Sequence, residues 1–353
     1  MNRVDRYIFR TILSTALLSL LVLLVLETLF VLLSELEDVG DGNYGIAKAL
    51  LFVLLTLPRR AFEVFPMALL LGGLLGMGAL AHASELTAMR AAGLSRLRLI
   101  RSALQAGLVL SVIALLIGEF LAPIAEQTAQ SLRASARSGS EEIQGDGFWA
   151  RDGDYLVNVG AVLPGLRLAR IQLFHLDDQS RLQSLTFANE AQFVDGRWVM
   201  SGVARRAFTE QGVDLSGEAE IPWSSVITPA MLTVLAADPE DLSLRDLQVY
   251  IRYLDSNQQD AGEQRLAFWQ KALAPLANLS MLFIALPFIF GSQRSAGVGR
   301  RLVIGVVLGL SFYMFNRMLG NLVLLYGLPP LAGAALPTIG YFVIGAIALS
   351  RQR

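Results

Sequence analysis

Long apolar runs recur along the chain and constrain its fold more than any other feature. Six of them reach about 20 residues, the length that an α-helix needs to cross a bilayer core of about 30 Å. They lie at roughly 11–33, 61–81, 99–121, 268–290, 302–325 and 331–349. Hydrophobic residues make up 54% of the 353 residues, more than a soluble domain of this size needs. The sequence therefore predicts an α-helical membrane protein with six spans.

The chain changes character between the third and fourth apolar runs. There, short alternating segments are separated by turn pairs such as Asp152-Gly153 and Asp195-Gly196. Turns about ten residues apart are typical of a β-meander, a sandwich or a jelly roll. We expect an all-β, jelly-roll-like domain inserted between transmembrane helices 3 and 4. The predicted divisions are 1–124 with a polar helix at 84–96, then 125–262 for the β domain and a short connecting helix, and 263–353.

Basic residues predict the orientation, because segments on the cytoplasmic side of a membrane are enriched in Lys and Arg. Four segments qualify, containing Arg3, Arg6 and Arg10; Arg96, Arg98 and Arg101; Arg294, Arg300 and Arg301; and Arg351 and Arg353. Both termini are thus predicted to be cytoplasmic, with the β domain outside. Residues 46–57 are apolar but too short to cross, and they end at Pro58. We interpret them as a lead-in at the outer membrane surface.

A short polar segment, residues 82–101, lies between the second and third apolar runs. Ser84 is placed to N-cap a helix through its side chain. Leu86 and Met89 fall on one face of that helix, and Gly93 is placed to end it in a left-handed turn. Taken alone, the segment is typical of a basic cytoplasmic loop that contains a helix lying on the membrane surface.

The sequence lacks the residues that several kinds of catalytic and binding site require. The chain contains no cysteine, only two histidines, and no G-x-x-x-x-G-K-[ST] loop. The sequence therefore predicts no metal site, no catalytic residues and no ATP-binding loop, and hence no cofactor bound by this chain. A net charge of −1 gives no indication of a nucleic-acid partner.

Charged residues near the outer ends of the spans have two interpretations. Arg59, Arg60, Glu119 and Arg317 are all placed near headgroup depth by their positions in the apolar runs. One interpretation is an Arg–Glu ion pair with arginines that extend to the interface. The other is a basic site for the anionic groups of a lipid in the outer leaflet, because arginine on that side opposes the usual charge bias.

Several segments together resemble the LptF/LptG permeases of the lipopolysaccharide exporter. They are DRYIFRTI, FPMALLLGGLLGMGALAHASELTAMRAAGLSR, GEFLAPIAEQTAQSLRA, GFWARDGDYLVNV, RYLDSNQQDAGEQRLAFW and YGLPPLAGAALP. The likeness covers essentially the whole chain. The DRYI, QDAG and YGLPP segments are more similar to the G-type than to the F-type paralogue of that family.

The resemblance implies a non-catalytic permease subunit of an ABC transporter. Such a subunit extracts lipopolysaccharide from the outer leaflet of the bacterial inner membrane and passes it to a periplasmic bridge. It pairs with the paralogue LptF, and a cytoplasmic ATPase dimer, LptB, binds the ATP and Mg²⁺. The bitopic protein LptC contacts the periplasmic β domain. The alternative function is a membrane receptor or scaffold whose β domain binds a partner protein without transport.

The resemblance also assigns residues to two sites. The polar helix would be the coupling helix seated in the ATPase, with contacts from Ser84, Glu85, Leu86, Met89 and Arg90. The first and fifth spans would line the lipid cavity, with Leu26, Phe30, Phe312 and Phe315 as candidate contacts to acyl chains.

One region departs from the family pattern. Where members of the family have lysines near the outer end of the first span, this chain has Ser34, Glu35, Glu37 and Asp38. We therefore hypothesise that other cations contact the lipid phosphates. The candidates are Arg59 and Arg317, with Arg60 beside them.

Overall fold

The computed structural model describes residues 3–351 except 138–145, 164–166, 178, 180, 210–211, 224, 226, 236 and 291–296. Arg294 and Arg353, two residues used to predict the orientation, lie outside the described residues. The helices are α1 (Arg3–Glu37), α2 (Ile46–His82), α3 (Glu85–Ala91), α4 (Arg96–Leu116), α5 (Ala122–Arg137), α6 (Pro229–Leu235), α7 (Leu244–Ser256), α8 (Gly262–Phe290), α9 (Val298–Leu325) and α10 (Pro330–Ser350).

Six helical stretches in the described part of the chain are long and apolar enough to cross a membrane, which confirms the predicted number of spans. They are α1, α2, the stretch Arg96–Arg137, α8, α9 and α10. Residues 46–57 are continuous with the second span, because α2 runs without a break from Ile46 to His82. A proline removes one intrahelical hydrogen bond, but any non-helical conformation would leave more backbone groups unpaired in lipid.

The third span also continues beyond its predicted end. A π-helical turn, Ile117–Leu121, joins α4 to α5, and the helix then continues through Pro123 to Arg137. Turns of this kind insert one extra residue into an α-helix and are a common way to accommodate a proline or a functional group. Gly118 lies in this turn, where an added Cβ atom would lie 2.5 Å from the ring of Phe62.

The chain forms two compact units. The first, which we call the membrane unit, consists of Met1–Leu33, Thr56–Ala125 and Gly262–Arg353. Helices α2 and α8 supply much of its buried core, with Leu69, Leu70, Leu74, Met77, Met281, Leu282 and Leu286. Small residues allow close packing between its helices. At Gly72, for example, an added Cβ atom would lie 2.6 Å from the Cα atom of Ala16 in α1.

The second unit, Ser34–Leu55 with Glu126–Ala261, contains the β domain. Its six strands are β1 (Asp146–Asp152), β2 (Tyr155–Leu163), β3 (Arg167–Leu176), β4 (Leu182–Val194), β5 (Arg197–Thr209) and β6 (Gly212–Trp223). They form one antiparallel sheet in sequential order, which is the meander among the three alternatives. An all-β domain between the third and fourth spans is thereby confirmed.

The tryptophans of the sheet differ in burial. Trp198 and Trp223 are almost fully buried in the core, and the Trp198 indole donates to the carbonyl oxygen of Ile227 at 2.7 Å. Trp149 differs from them, because 58% of it is exposed. It lies beside Phe174 on the other face of the sheet, with ring centroids 5.6 Å apart.

Candidate functional site

The spans differ strongly in how much of their surface the rest of the chain covers. In the most apolar 18-residue stretch of each helix, 67% of the residues of α2 and 50% of those of α8 are buried. The corresponding values are 11% for α1 and 17% for α9. The first and fifth spans therefore expose long apolar surfaces.

Three of the four predicted lipid-lining residues lie on these surfaces. Leu26 is 51% exposed, Phe30 is 70% exposed and Phe315 is 51% exposed. Phe312 is different, because only 7% of it is exposed and its ring packs edge to face on Tyr341 of α10, with centroids 5.0 Å apart. It belongs to the contact between α9 and α10 and does not lie on the exposed surface.

A pattern of small residues marks the packed face of α9. Gly305 and Gly309 are buried on the same face as Phe312. A Cβ atom added at Gly309 would lie 2.8 Å from the Met67 side chain of α2. Glycines four residues apart in a span are a sequence signal for close helix packing. That signal separates Phe312 from Phe315, although hydrophobicity alone does not.

The polar helix α3 begins differently from the prediction. Ser84 adopts a left-handed conformation with φ 60° and ψ 10°, and its side chain makes no capping hydrogen bond. The predicted N-cap is therefore wrong, because the chain turns sharply at this residue between α2 and α3. The predicted C-terminal turn is present. Gly93 has φ +92°, and the amide of Leu94 donates to the carbonyl oxygen of Met89 at 3.1 Å.

The orientation of α3 changes which of its residues a partner could reach. Leu86 is 4% exposed and belongs to the core of the membrane unit, and Met89 packs against that core. Contrary to the prediction, Leu86 is therefore not available as a contact to another protein. The exposed residues of α3 are Thr87, Ala88, Arg90 and Ala91. The apolar face thus seats the helix, and the opposite face remains free of the membrane unit.

Two carboxylates connect the N-terminal end of α1 to the segment around α3. The Tyr7 hydroxyl donates to Oε2 of Glu85 at 2.8 Å. The Ser102 hydroxyl, in α4, donates to Oδ1 of Asp5 at 2.7 Å. Both bonds join residues that are far apart in the sequence, so pattern analysis could not find them.

The charges near the other ends of the spans are mostly paired. Nε of Arg59 lies 2.8 Å from Oε1 of Glu63, one turn along α2. Arg60 reaches Oε1 of Glu27 at 3.4 Å. Nζ of Lys271 in α8 lies 4.0 Å from Oε2 of Glu119.

Arg317 differs from these cations. Its side chain is exposed on α9 and makes no ion pair or hydrogen bond with any residue that the structure describes. The four charged residues predicted at headgroup depth are thus not one cluster. The ion-pair interpretation holds for Arg59, Arg60 and Glu119, each with an unexpected partner, and Arg317 alone remains open to a ligand.

Two of the acidic residues at the end of α1, Glu35 and the adjacent Asp38, bind two arginines of α5. Glu35 is 4% exposed, accepts from the Tyr44 hydroxyl at 2.7 Å, and forms an ion pair with Arg133 at 3.4 Å. Arg133 also pairs with Asp38, and Arg137 pairs with Asp38 at 2.9 Å. The hydrogen bond from Arg133 holds the pKa of the Asp38 carboxyl below its usual value. These groups form a structural clamp within the second unit.

The clamp does not include Glu37, the last residue of α1, which is exposed. Burial, together with the hydrogen bond to Glu35, raises the pKa of Tyr44, which therefore remains a protonated donor at neutral pH. Arg133 and Arg137 lie one helical turn apart, as residues on one face of α5 must to reach the same carboxylate. That spacing is visible in the sequence, but their partners are not.

Residues that could hold a metal ion are not clustered in the described ranges. Among them, no three His, Asp or Glu side chains lie close enough together to form such a site.

Comparison with known proteins extends over the whole chain. Residues 6–351 match the family model described as lipopolysaccharide export system permease LptF/LptG. The lipopolysaccharide export system permease protein LptG of Escherichia coli strain K12 is 36% identical over 353 residues, covering 99% of this chain and 98% of the relative. LptG of Haemophilus influenzae strain Rd is 34% identical over 355 residues, covering 100% and 99%. These similarities agree with the predicted resemblance to the G-type paralogue.

Proposed function

Because the chain belongs to the LptF/LptG family of lipopolysaccharide export permeases, we propose that it is a transport subunit that extracts lipopolysaccharide from the outer leaflet of the inner membrane. In this proposal the lipid passes to a periplasmic bridge, and the β domain is the part of the chain that contacts LptC. Both termini are cytoplasmic, in agreement with the distribution of basic residues.

The observation that carries the proposal is the exposed apolar surface of α1 and α9. In a bilayer, such surfaces can face lipid tails or another protein, and only close packing or polar contacts favour the latter. We propose that Leu26, Phe30 and Phe315 contact the acyl chains in a cavity formed with the paralogue LptF. Each of these side chains is at least half exposed in the isolated chain.

Arg317 is the best candidate for a contact to a lipid phosphate. A guanidinium group can bind phosphate through two parallel hydrogen bonds, and this one has no competing carboxylate among the described residues. Arg59 and Arg60 are weaker candidates, because a phosphate would have to compete with Glu63 and Glu27. We therefore propose Arg317 as the main phosphate contact and Arg59 as a secondary one.

The energy for extraction would enter through α3. No ATP-binding loop occurs in the sequence, so hydrolysis would take place on the ATPase LptB. The free face of α3 contains Arg90 and small residues, and Glu85 lies at its edge. We propose that this face and Glu85 seat the helix in the ATPase, whereas Leu86 and Met89 attach it to the membrane unit.

Site-specific photo-crosslinking tests the lipid path directly. We expect a photoreactive amino acid at Phe30 or Phe315 to capture lipopolysaccharide in cells, because both side chains lie on the proposed path. Ile339 is the matched control, since it is 55% exposed on α10, outside that path. Equal capture at Ile339 would show that the lipid contacts any bilayer-facing surface, and the proposed path would then be wrong.

Co-purification distinguishes transport from the receptor or scaffold alternative. We expect a P-loop ATPase to co-purify with the wild-type chain and to be lost from the Glu85→Lys variant, because the substitution reverses the charge at the edge of the docking face. Leu325→Lys controls for an added positive charge, because Leu325 is an exposed residue at the C-terminal end of α9, away from α3 in the sequence. A chain that binds periplasmic proteins but no ATPase would support the alternative.

A further inference from the structure

The proposed function leaves open how a movement of α3 reaches the spans that contact the lipid. Helix α3 has only seven residues and is seated mainly through Leu86. The span with the least covered surface, α1, begins beside it. A specific connection between these two elements would transmit a displacement from the ATPase to the proposed lipid path.

We propose that Tyr7 is a positioning residue that links α1 to Glu85, so that a movement of α3 displaces the first span. This inference rests on the proposed function and names the residue that would couple its two sites. The Tyr7 hydroxyl donates to Oε2 of Glu85 at 2.8 Å, a charge-assisted hydrogen bond of normal length. Because a carboxylate has two oxygens, Oε1 of Glu85 is left to accept from a basic group of the ATPase.

A second bond strengthens the link on the other side of the polar segment. Asp5, two residues before Tyr7, accepts from the Ser102 hydroxyl at 2.7 Å. Ser102 is 4% exposed, so this bond is shielded from competing water. The first residue of α3 and the first turns of α4 are therefore both attached to one turn of α1. The polar segment between them cannot shift far without stretching at least one of these bonds.

The packing beneath the bonds makes the link separable from folding. Ile8 and Ile12 of α1 are fully buried in the same core as Leu86 and Leu99. Tyr7 itself is 44% exposed, and its hydroxyl reaches Glu85 at the surface. Removal of that one oxygen leaves the buried contacts in place. A loss of coupling with little change in stability is therefore the expected signature.

The experiment uses the complete transporter, co-expressed with its partners and reconstituted in proteoliposomes. Tyr7→Phe removes the hydroxyl alone, and Tyr326→Phe is the matched control, because Tyr326 is 70% exposed. For Tyr7→Phe we expect unchanged ATPase co-purification, melting temperature and basal hydrolysis. Lipopolysaccharide released per ATP hydrolysed should fall by about fivefold, the factor that corresponds to the loss of one hydrogen bond of ordinary net strength.

A double-mutant cycle with Glu85→Gln locates the effect. If the link acts through Glu85, Tyr7→Phe causes little further loss of transport per ATP in the Glu85→Gln background. Wild-type transport per ATP in Tyr7→Phe would overturn the inference. Loss of the ATPase from Tyr7→Phe would also overturn it, since Tyr7 would then serve docking.

The experiments distinguish a failure of the proposed function from a failure of this inference. If Glu85→Lys retains the ATPase, the docking of α3 is wrong. If Glu85→Lys loses the ATPase and Tyr7→Phe still transports normally, docking stands and only the link through Tyr7 is wrong.

Discussion

Helices α2 and α8 differ from α1 and α9 in what surrounds them, although all four are long and apolar enough to cross a membrane. At least half of the residues in the most apolar stretch of the first pair are buried, whereas the second pair leaves most of its apolar surface uncovered. Glycine positions explain part of the difference, because Gly72 and Gly73 allow neighbouring helices to approach α2 closely. The length of an apolar run thus identifies a span, but packing decides whether the surface of that span is buried within the chain or left exposed.

The exposed pair is attached at a few defined places. At the N-terminal end of α1, Tyr7 donates a hydrogen bond to Glu85 and Asp5 accepts one from Ser102. At its C-terminal end, Glu35 and the adjacent Asp38 bind Arg133. Between these ends it contacts α2 through Ala16, where Gly72 leaves room. The comparison therefore predicts large effects for changes at packed positions and small effects for changes on the uncovered surface.

The largest effect is expected for Gly72→Leu. A side chain at this position would meet the backbone of Ala16, with Cβ 2.6 Å from its Cα atom, so α1 would have to separate from α2. We expect a loss of about 3 kcal/mol in the free energy of unfolding, measured by denaturation in detergent micelles. Gly340→Leu is the control, since nothing lies within 4 Å of a Cβ added there. Equal losses in both variants would contradict the packing difference.

An intermediate effect is expected where α9 is attached to α10. The Tyr341 hydroxyl lies 2.6 Å from Oγ of Ser311 and donates to the carbonyl oxygen of Leu308 at 3.2 Å. Tyr341→Phe should lower the free energy of unfolding by about 1 kcal/mol, the usual size for one hydrogen bond between spans. Tyr313→Phe, at an exposed tyrosine of α9, should have no measurable effect. Similar melting temperatures for the two variants would show that the Ser311 bond does not hold α9.

A pH-dependent effect is expected where the C-terminal end of α1 is attached to α5. Because Arg133 lowers the pKa of Asp38 in the folded chain, this carboxylate stabilises the fold above its ordinary pKa. That contribution is lost as the pH falls through the lowered pKa. Melting temperatures of wild type and Asp38→Asn should therefore differ at neutral pH and converge in acid. A difference that grows in acid would have the wrong sign for this clamp.

The smallest change in stability is expected on the uncovered surface. Leu26→Ala should change the free energy of unfolding by less than about 0.5 kcal/mol, because Leu26 makes few contacts within the chain. The same substitution at Leu282, which is fully buried in α8, should cost about 2 kcal/mol. Crosslinking of lipid should nevertheless decrease in the Leu26 variant. A stability loss at Leu26 that matches Leu282 would mean that α1 packs against its own chain there.

The features that the sequence predicted correctly depend on neighbouring residues. The length of each apolar run determines the six spans, and the left-handed turn at Gly93 needs only a residue without a side chain. Ser84 was predicted wrongly because the sharp turn after α2, with Leu86 buried beneath it, determines its conformation. The inward position of Phe312 became clear only with Tyr341 beside it, although the glycines of α9 already indicated that face.

Contacts between distant parts of the chain could not be predicted at all. The pairing of Arg133 with Glu35 and the bond from Tyr7 to Glu85 each join elements whose sequences are unrelated. The acidic end of α1 thus looks like a lost lipid contact in the sequence, whereas Glu35 and Asp38 have partners within the chain. Charges at the ends of spans must be matched with all nearby elements before a ligand is assigned to them.

The prolines give the two pairs of spans different mechanical properties. Helix α2 contains Pro58 and Pro66, and α8 contains Pro275 and Pro287, whereas α1 and α9 contain no proline. Each internal proline removes a backbone hydrogen bond and lowers the cost of bending at that point. Bending is thus concentrated in the covered helices. The two uncovered spans lack such points, so we expect them to resist bending and to tilt as whole helices when one end is displaced.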